Sequence, residues 1–289
     1  MTLSLHNLTF IIVTFKSEHI IHECIESLPK NSKIIIIENS NDETFKQNLL
    51  NKYPKIKIIV QKNSGMGSAN NIGIRMCETD YAFVINPDVK FDSSAIQNLI
   101  DFTKRINDYS ILSPISDDIK HPNYIIKDRN IDSNERDHIV VDSVDGFAML
   151  INKNKFKDDV YFDENFFLYL ENEDLCIRKK KEKENIYVLK TAKINHLGGK
   201  SHSMIFEKEI EYSRNWHWMW SKFYFNKKHH SFLIAMTKGF PSYFSAILKY
   251  LFYLVSNNKF KKKIYFNRAS GYFNALINSS SWYRPKIKD

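Results

Sequence analysis

The stretch Tyr81-Ala82-Phe83-Val84-Ile85-Asn86-Pro87-Asp88 is an apolar run closed at once by a polar turn. A short run that is apolar at every position fits a strand covered on both faces, as in a parallel sheet. The same grammar recurs on its N-terminal side. Thr9–Phe15 is an apolar, β-branched run, and Ser17 then caps a predicted helix with Ile20, Ile21, Cys24, Ile25 and Leu28 on one face. Ile34–Ile37 reads as a second strand, Thr44–Leu50 as a short helix and Ile56–Val60 as a third strand. A Gly-, Ser- and Asn-rich turn over Asn63–Asn71 opens a helix to Met76, which returns to the run at Tyr81. This βαβα order predicts an α/β protein with a mostly parallel central sheet flanked by helices.

Parallel sheets bind ligands beyond the carboxyl ends of their strands. Thr14, Glu38, Asn63 and Asp88 all fall at such ends, so four polar markers converge on one edge. Residues 105–138 are polar and weakly patterned, with a short strand at Ile111–Ser113. Order returns over Val140–Ile151, which holds Asp145-Gly146 and the strand Phe147–Ile151. The aromatic run Phe166–Leu170 then meets Glu171-Asn172-Glu173-Asp174, which opens a helix through Arg178. A further strand, Ile186–Leu189, precedes His196-Leu197-Gly198-Gly199-Lys200-Ser201.

Three residue groups have chemistry of their own. Asp88, on a turn directly after a buried strand, suits a hard cation that prefers oxygen ligands, although Asn-Pro-Asp is also a common turn. Glu171, Glu173 and Asp174 are carboxylates suited to general-base work. Their plainer reading is a helix start enriched in acids, with Asp174 pairing Arg178 at i+4. His196 stands before a Gly-Gly turn, where it can ligate a metal, contact phosphate or simply pack.

The 289 residues suit one large α/β domain with an appended helical piece, and 43% apolar residues supply a core. The net charge of +9 fits a pyrophosphate or an anionic lipid surface; it fits an ordinary solvated surface equally well. Cys24, Cys77 and Cys176 form no Cys-x-x-Cys pair, which argues against a zinc or disulfide framework and for a reducing cytoplasm. The run Phe10–Val13 is too short for a secretory signal. From about Ser231 the chain turns apolar and aromatic over Phe232–Met236 and Tyr243–Val255, two pieces separated by Gly239 and Pro241 and flanked by lysines. Neither piece is long enough to span a bilayer. They fit a helix lying in an anionic membrane surface or a helical hairpin packed on the rest of the chain.

In order and spacing these pieces resemble the family 2 glycosyltransferases of GT-A fold, in particular the rhamnosyltransferase-like branch of bacterial surface-polysaccharide enzymes. The carriers are Ile11–Glu18, Glu38-Asn39-Ser40, Asn63–Gly67 continuing through Asn70–Gly73, and Asn86-Pro87-Asp88-Val89. In the second half they are Asp145-Gly146, Phe162–Tyr169, Glu171–Arg178 and His196-x-Gly-Gly-x-Ser201. The resemblance covers roughly residues 8–225. It implies a GT-A domain over 1–226 and a basic, aromatic helical extension over 227–289. It assigns the nucleotide-sugar donor to Thr14, Glu18, Glu38, Asn63, Gly65, Asn71, Asn86 and Asp145, with Glu38 standing where the family usually has Asp. Asp88 matches the last position of the Asp-x-Asp metal motif, Asn86 replaces its first Asp, and His196 falls near metal and diphosphate; Mg2+ or Mn2+ is the implied ion. The family's base motif commonly reads Glu-Asp-x-Asp, and Asn172 occupies the base position here, which leaves Glu171, Glu173 or Asp174.

The expectation is therefore an inverting transferase acting on a UDP- or dTDP-sugar, rhamnose or similar, and a glycan or lipid-linked acceptor. Its place would be cytoplasmic, peripheral at the inner face of the plasma membrane. Two other classes fit the sequence less well. A sugar-nucleotidyltransferase would carry a Gly-rich loop near its first strand, and Thr14–Glu18 contains no glycine. A nucleic-acid binder would carry a basic stripe, whereas these basic residues are scattered or gathered in the tail.

Overall fold

The computed structural model of the chain describes residues 2–118, 120–126, 137–198 and 203–287. Contacts divide it into two units. One comprises Met1–Ser64, Ser68–Asp163 and Asn172–His202; the other comprises Gly65–Gly67, Glu164–Glu171 and Ser203–Asp289.

The first unit follows the predicted alternation: β1 (Leu8–Thr14), α1 (Ile21–Glu26), β2 (Lys33–Glu38), α2 (Glu43–Lys52), β3 (Lys57–Val60), α3 (Met66–Met76) and β4 (Tyr81–Ile85). Then come β5 (Val89–Phe91), α4 (Ala95–Arg105), β6 (Ile111–Ser116), β7 (Tyr124–Ile125), β8 (His138–Val140), β9 (Ser143–Val144), β10 (Ala148–Asn152), α5 (Glu171–Lys181) and β11 (Ile186–His196). Among the described residues nine strands form one sheet in the order β3-β2-β1-β4-β10-β6-β11-β5, with β8 added on β11. β1 to β4 pair in parallel, and β10 runs antiparallel between β4 and β6. All seven residues of β1 are buried, as a strand covered on both faces must be. Gly73 of α3 permits close packing on β1, because a Cβ there would lie 2.4 Å from Ile11 Cγ2.

Three boundaries differ from the sequence reading. Helix α1 begins at Ile21 with Ile20, not Ser17, at its N-cap, and the Ser17 hydroxyl accepts from the Phe15 amide at 3.0 Å. Helix α3 begins at Met66, so Asn70 and Asn71 are helical rather than part of the turn. Strand β11 continues to His196, its register on β6 shifting between Leu189 and Lys193. That bulge interrupts the apolar pattern, which is why the strand appeared to stop at Leu189.

The second unit is built on α6 (Glu207–His229), α7 (Phe232–Val255) and α8 (Lys259–Leu276). Trp216, Phe223 and Tyr272 are buried in its core. Gly271 and Gly239 allow the helices to approach: a Cβ on Gly271 would lie 2.2 Å from the Trp216 carbonyl oxygen, and one on Gly239 would lie 2.3 Å from Tyr272 Cε2. The expected break at Gly239 and Pro241 does not occur, and α7 runs unbroken through both. Pro241 deprives the preceding turn of a backbone donor. Packing compensates: Tyr243 stacks on Tyr272, whose hydroxyl donates to the Met236 carbonyl at 3.0 Å. No helix among the described residues is long and apolar enough to cross a membrane.

His217 is fully buried in this unit, its Nε2 donating to the Tyr283 carbonyl (2.8 Å) and its Nδ1 facing the Ser281 hydroxyl (3.0 Å). Burial pushes its pKa down to about 3, so the folded state holds it neutral. Because the folded pKa is depressed, its contribution to stability is present above the unfolded value of about 6.5 and is lost as pH falls toward 3. Urea unfolding followed by tryptophan fluorescence is expected to show stability falling across that window, by up to about 1.4 kcal/mol per pH unit. The His217→Gln variant should show a shallower slope; an unchanged slope would assign the acid sensitivity elsewhere.

Candidate active site

The carboxyl ends of β1 and β2 are joined by side chains. Thr14 Oγ1 donates to Glu38 Oε2 at 2.6 Å, and Glu38 Oε1 accepts from the Ser40 amide at 2.7 Å and from the Ser40 hydroxyl. Glu38 is 1% exposed. Burial raises its carboxyl pKa, opposed by the hydrogen bonds from Ser40 and Thr14. Beside it Asn39 links β2 to the end of β3: Asn39 Nδ2 donates to Asn63 Oδ1 (3.2 Å), while Asn39 Oδ1 accepts from Gln61 Nε2 (2.9 Å) and the Ser64 amide (3.0 Å).

The turn after β4 carries the group of greatest chemical interest. Val89 N donates to the Asn86 carbonyl at 3.2 Å, which reverses the chain into β5. β5 pairs antiparallel with β11 so that His196 stands opposite Val89. His196 Nε2 thereby lies 3.5 Å from Asp88 Oδ1. Phe147 stacks on the imidazole at 3.9 Å between ring centroids and holds its plane. Asp88 is 3% exposed, yet its Oδ1 and the Oδ1 of Asn86 are buried with no hydrogen-bond partner among the described residues. Two orphaned acceptor oxygens in one turn, with an imidazole alongside, are what a cation or a set of donors would satisfy.

Asp145 belongs to the same neighbourhood. The residue is open to solvent, but surrounding atoms crowd its carboxyl and raise its pKa, and the charge of His196 acts in the opposite sense. Its backbone is fixed from both sides: the Asp145 amide donates to the Asn123 carbonyl at 2.9 Å, and Asn172 Nδ2 donates to the Val144 carbonyl at 2.8 Å. Asn172 thus anchors the first turn of α5 next to Asp145-Gly146, where a Cβ on Gly146 would sit 3.4 Å from Asn172 Cβ.

Of the three carboxylates at the start of α5, Asp174 is fully buried and bound to Arg178 Nε at 2.9 Å, and Arg178 also donates to the Tyr161 carbonyl. The i+4 pairing expected as the plainer reading is realised. Glu173 is half-buried and Glu171 is 9% exposed. The chain enters α5 through Tyr169 and Leu170, both left-handed at φ 73° and 69°, a conformation that costs non-glycine residues about 1–3 kcal/mol each. Gly65, at φ 92°, lies so near the Phe167 backbone that a Cβ would meet the Phe167 carbonyl oxygen at 2.5 Å.

Two residues expected at the donor site point elsewhere. Glu18 is exposed and accepts from Asn48 of α2 at 3.2 Å, because the turn after Ser17 carries it to the surface. Asn71 is fully buried, and its amide grips the Phe162 backbone with two 2.9 Å bonds. Gln61 and Asn123 escaped the sequence reading. Gln61 had one signal, its place directly after β3; Asn123 had none, lying in a weakly patterned segment. The Gly199–Ser201 part of the His196 motif lies outside the described residues. No group of three His, Cys, Asp or Glu side chains arranged around one point occurs among the described residues.

The sheet order and the strand-end cluster define a GT-A fold. The family model for Glycosyl transferase family 2 matches residues 9–169, more than half of the chain, and the chain belongs to that family. It is similar to the low-salt glycan biosynthesis hexosyltransferase Agl10 of Haloferax volcanii, 26% identical over 209 residues that cover 63% of this chain and 64% of the relative. It is similar also to the rhamnosyltransferase WbbL of Escherichia coli K12, 26% identical over 198 residues covering 58% and 75%. The crystal structure of GalNAc-T7 with UDP, GalNAc and Mn2+ shares the fold at a TM-score of 0.55 and 11% identity, over 66% of this chain and 43% of that one. The chain thus spans less than two thirds of Agl10 and under half of the GalNAc-T7 chain.

The raised carboxyl pKa of Glu38 gives a test of the strand-end geometry. A carboxyl whose folded pKa is raised stabilises fully below its unfolded value, about 4.3, and loses that contribution as pH rises through the folded value. Urea denaturation at pH 4.5 and pH 8 (about these values) should show wild type losing stability relative to Glu38→Gln as pH rises. A difference independent of pH would contradict this arrangement.

Proposed function

We propose that the chain is an inverting, metal-dependent glycosyltransferase of cell-surface polysaccharide biosynthesis. It would move rhamnose or a similar sugar from a UDP- or dTDP-sugar to a glycan or lipid-linked acceptor, working at the inner face of the plasma membrane. The observation that carries the reading is the pair of orphaned buried oxygens on Asn86 and Asp88, with His196 at 3.5 Å, at the carboxyl end of a central parallel strand. The relatives support the chemistry: one is a rhamnosyltransferase, another a hexosyltransferase of glycan biosynthesis, and GalNAc-T7 was crystallised with UDP and Mn2+.

A carboxylate, an imidazole and an amide oxygen suit an ion that completes its shell with phosphate and water rather than a full protein cage. Asp88 and His196, with Asn86 Oδ1 beside them, would hold magnesium or manganese, which supplies Lewis-acid neutralisation of a leaving diphosphate. The Thr14–Glu38 and Asn39–Asn63 linkages fix the strand ends on which the nucleoside would rest, with the Gly65 turn shaping the nucleotide pocket. Asp145 would meet the donor sugar. A carboxylate in the first turn of α5, Glu171 or Glu173, would accept the acceptor hydroxyl's proton as that oxygen attacks the anomeric carbon opposite the departing diphosphate. Asp174, committed to Arg178, would position that turn rather than take the proton.

Calorimetric titration of UDP and dTDP, with Mn2+ or with EDTA, tests the metal arm. Wild type is expected to bind at least about tenfold tighter with Mn2+, and Asp88→Ala to lose that increment while keeping its melting temperature. Equal Mn2+ enhancement in the variant would overturn the assignment of Asp88. For the base, either Glu171→Gln or Glu173→Gln should lower kcat by about 10²–10⁴ without changing donor affinity; full activity in both would remove the α5 start from the chemistry.

A further inference from the structure

Charge is segregated along the chain. Between Tyr212 and Lys288 there are fourteen Lys and Arg residues and no Asp or Glu, whereas the remaining residues hold twenty-eight basic and thirty-three acidic side chains. The net charge of +9 therefore conceals a slightly acidic body joined to a strongly basic helical region. Helix α7 in that region is turned inside out relative to an ordinary surface helix. It buries its small residues Ala235, Gly239 and Ala246. It presents Leu233, Phe240, Phe244, Leu248, Leu251 and Val255 outward, each more than half exposed. Successive spacings of seven, four, four, three and four residues keep those side chains on one stripe.

Beside the stripe a cavity of about 390 Å³ opens between α7 and α8, lined among others by Ser242, Ser245, Lys249, Tyr265 and Arg268. Neither cation there has an ion-pair partner among the described residues. Arg268 donates to Asn215 Oδ1 at 3.1 Å, and the Lys249 ammonium lies 5.3 Å from the Tyr265 ring centroid. Two uncompensated cations with three hydroxyls and no carboxylate form an anion site. An anion site adjoining an apolar stripe matches a molecule that is itself anionic at one end and apolar at the other.

We propose that the outer face of α7 seats the protein on a bilayer of anionic phospholipid. A lipid phosphate sits between Lys249 and Arg268 in the α7–α8 cavity, while the Phe240–Val255 stripe enters the acyl boundary. This rests on the membrane-surface location proposed above and supplies the face and the headgroup chemistry that make it. The helix lies in the interface and does not span it, since no described helix is long and apolar enough to cross. A second copy of the chain is a poorer occupant, because two acid-free basic faces repel.

Flotation of the full chain with vesicles of phosphatidylcholine alone, or mixed with phosphatidylglycerol, tests the proposal. Wild type should float with the mixed vesicles and only weakly with the neutral ones. The double variant Lys249→Ala/Arg268→Ala should lose about thirtyfold in affinity for mixed vesicles, from two charges near the surface. Phe244→Ser/Leu251→Ser should lose about tenfold or more for both vesicle types. Circular dichroism melts check that each variant keeps the fold. As a gain-of-signal control, Phe244→Trp should add quenching by brominated lipid. If wild type floats but the variants float equally well, or Phe244→Trp adds no quenching, this face is wrong and the membrane location stands. If wild type binds neither vesicle, the location itself fails. Binding of inorganic phosphate at the cavity without vesicle binding, or dimerisation through α7 in sedimentation, would likewise overturn the proposal.

Discussion

Burying an acceptor oxygen without a donor costs about 1–3 kcal/mol, and more when the group is charged. The chain accepts that cost at Asn86 Oδ1 and, in the same turn, at Asp88 Oδ1, which has no hydrogen bond and only the His196 imidazole at 3.5 Å beside it. Much of the first unit is arranged to keep those oxygens where they are. The fully buried β4 delivers the turn at the centre of the sheet, and the antiparallel β5–β11 pairing brings His196 to the same point. Phe147 fixes the imidazole plane, and Asn123 and Asn172 fix the Asp145 turn next to it. Strand pairing alone would not require the Phe147 stacking or the Asn172 side-chain bond, and ordering of this kind around an unsatisfied carboxylate is the pattern expected when a group is preorganised for a ligand.

Three buried carboxylates, Glu38, Asp174 and Asp88, show contrasting treatment. Glu38 has each oxygen satisfied by a neighbouring donor, and burial still raises its pKa. Asp174 is satisfied by a guanidinium one helical turn away. Asp88 has neither a hydroxyl, nor a described backbone amide, nor a guanidinium on its Oδ1. Placing a metal at Asp88 rather than at the other two follows from that difference in satisfaction, not from the residue type.

Much of this was legible in the sequence, for physical reasons. Apolar runs ending in polar residues favour covered strands, so β1 to β4 and their polar carboxyl ends read correctly. The Asp174–Arg178 pair was visible in its i+4 spacing. Asn71 misled because asparagine in a Gly- and Ser-rich stretch signals a turn, while the helix in fact starts at Met66 and turns that amide toward Phe162. Glu18 was assigned to the donor by resemblance alone, and one turn of chain after β1 carries it to Asn48. The proximity of His196 to Asp88 depends on a pairing across more than a hundred residues and on a bulge that masks the length of β11. Pro241 marked a break that tertiary packing on Tyr272 overrides. Local signals therefore located the strand ends, and long-range pairing brings Asp88 and His196 together.

The central claim is that Asp88 and His196 form the protein's side of a metal–diphosphate site. A crystal grown with UDP and Mn2+, with anomalous diffraction recorded at the manganese edge, tests it most directly. A single manganese peak is expected at bonding distance, ~2.2 Å, from Asp88 Oδ1 and in contact with the diphosphate. A nucleotide bound with its manganese remote from Asp88, or bound with no manganese at all, would contradict it.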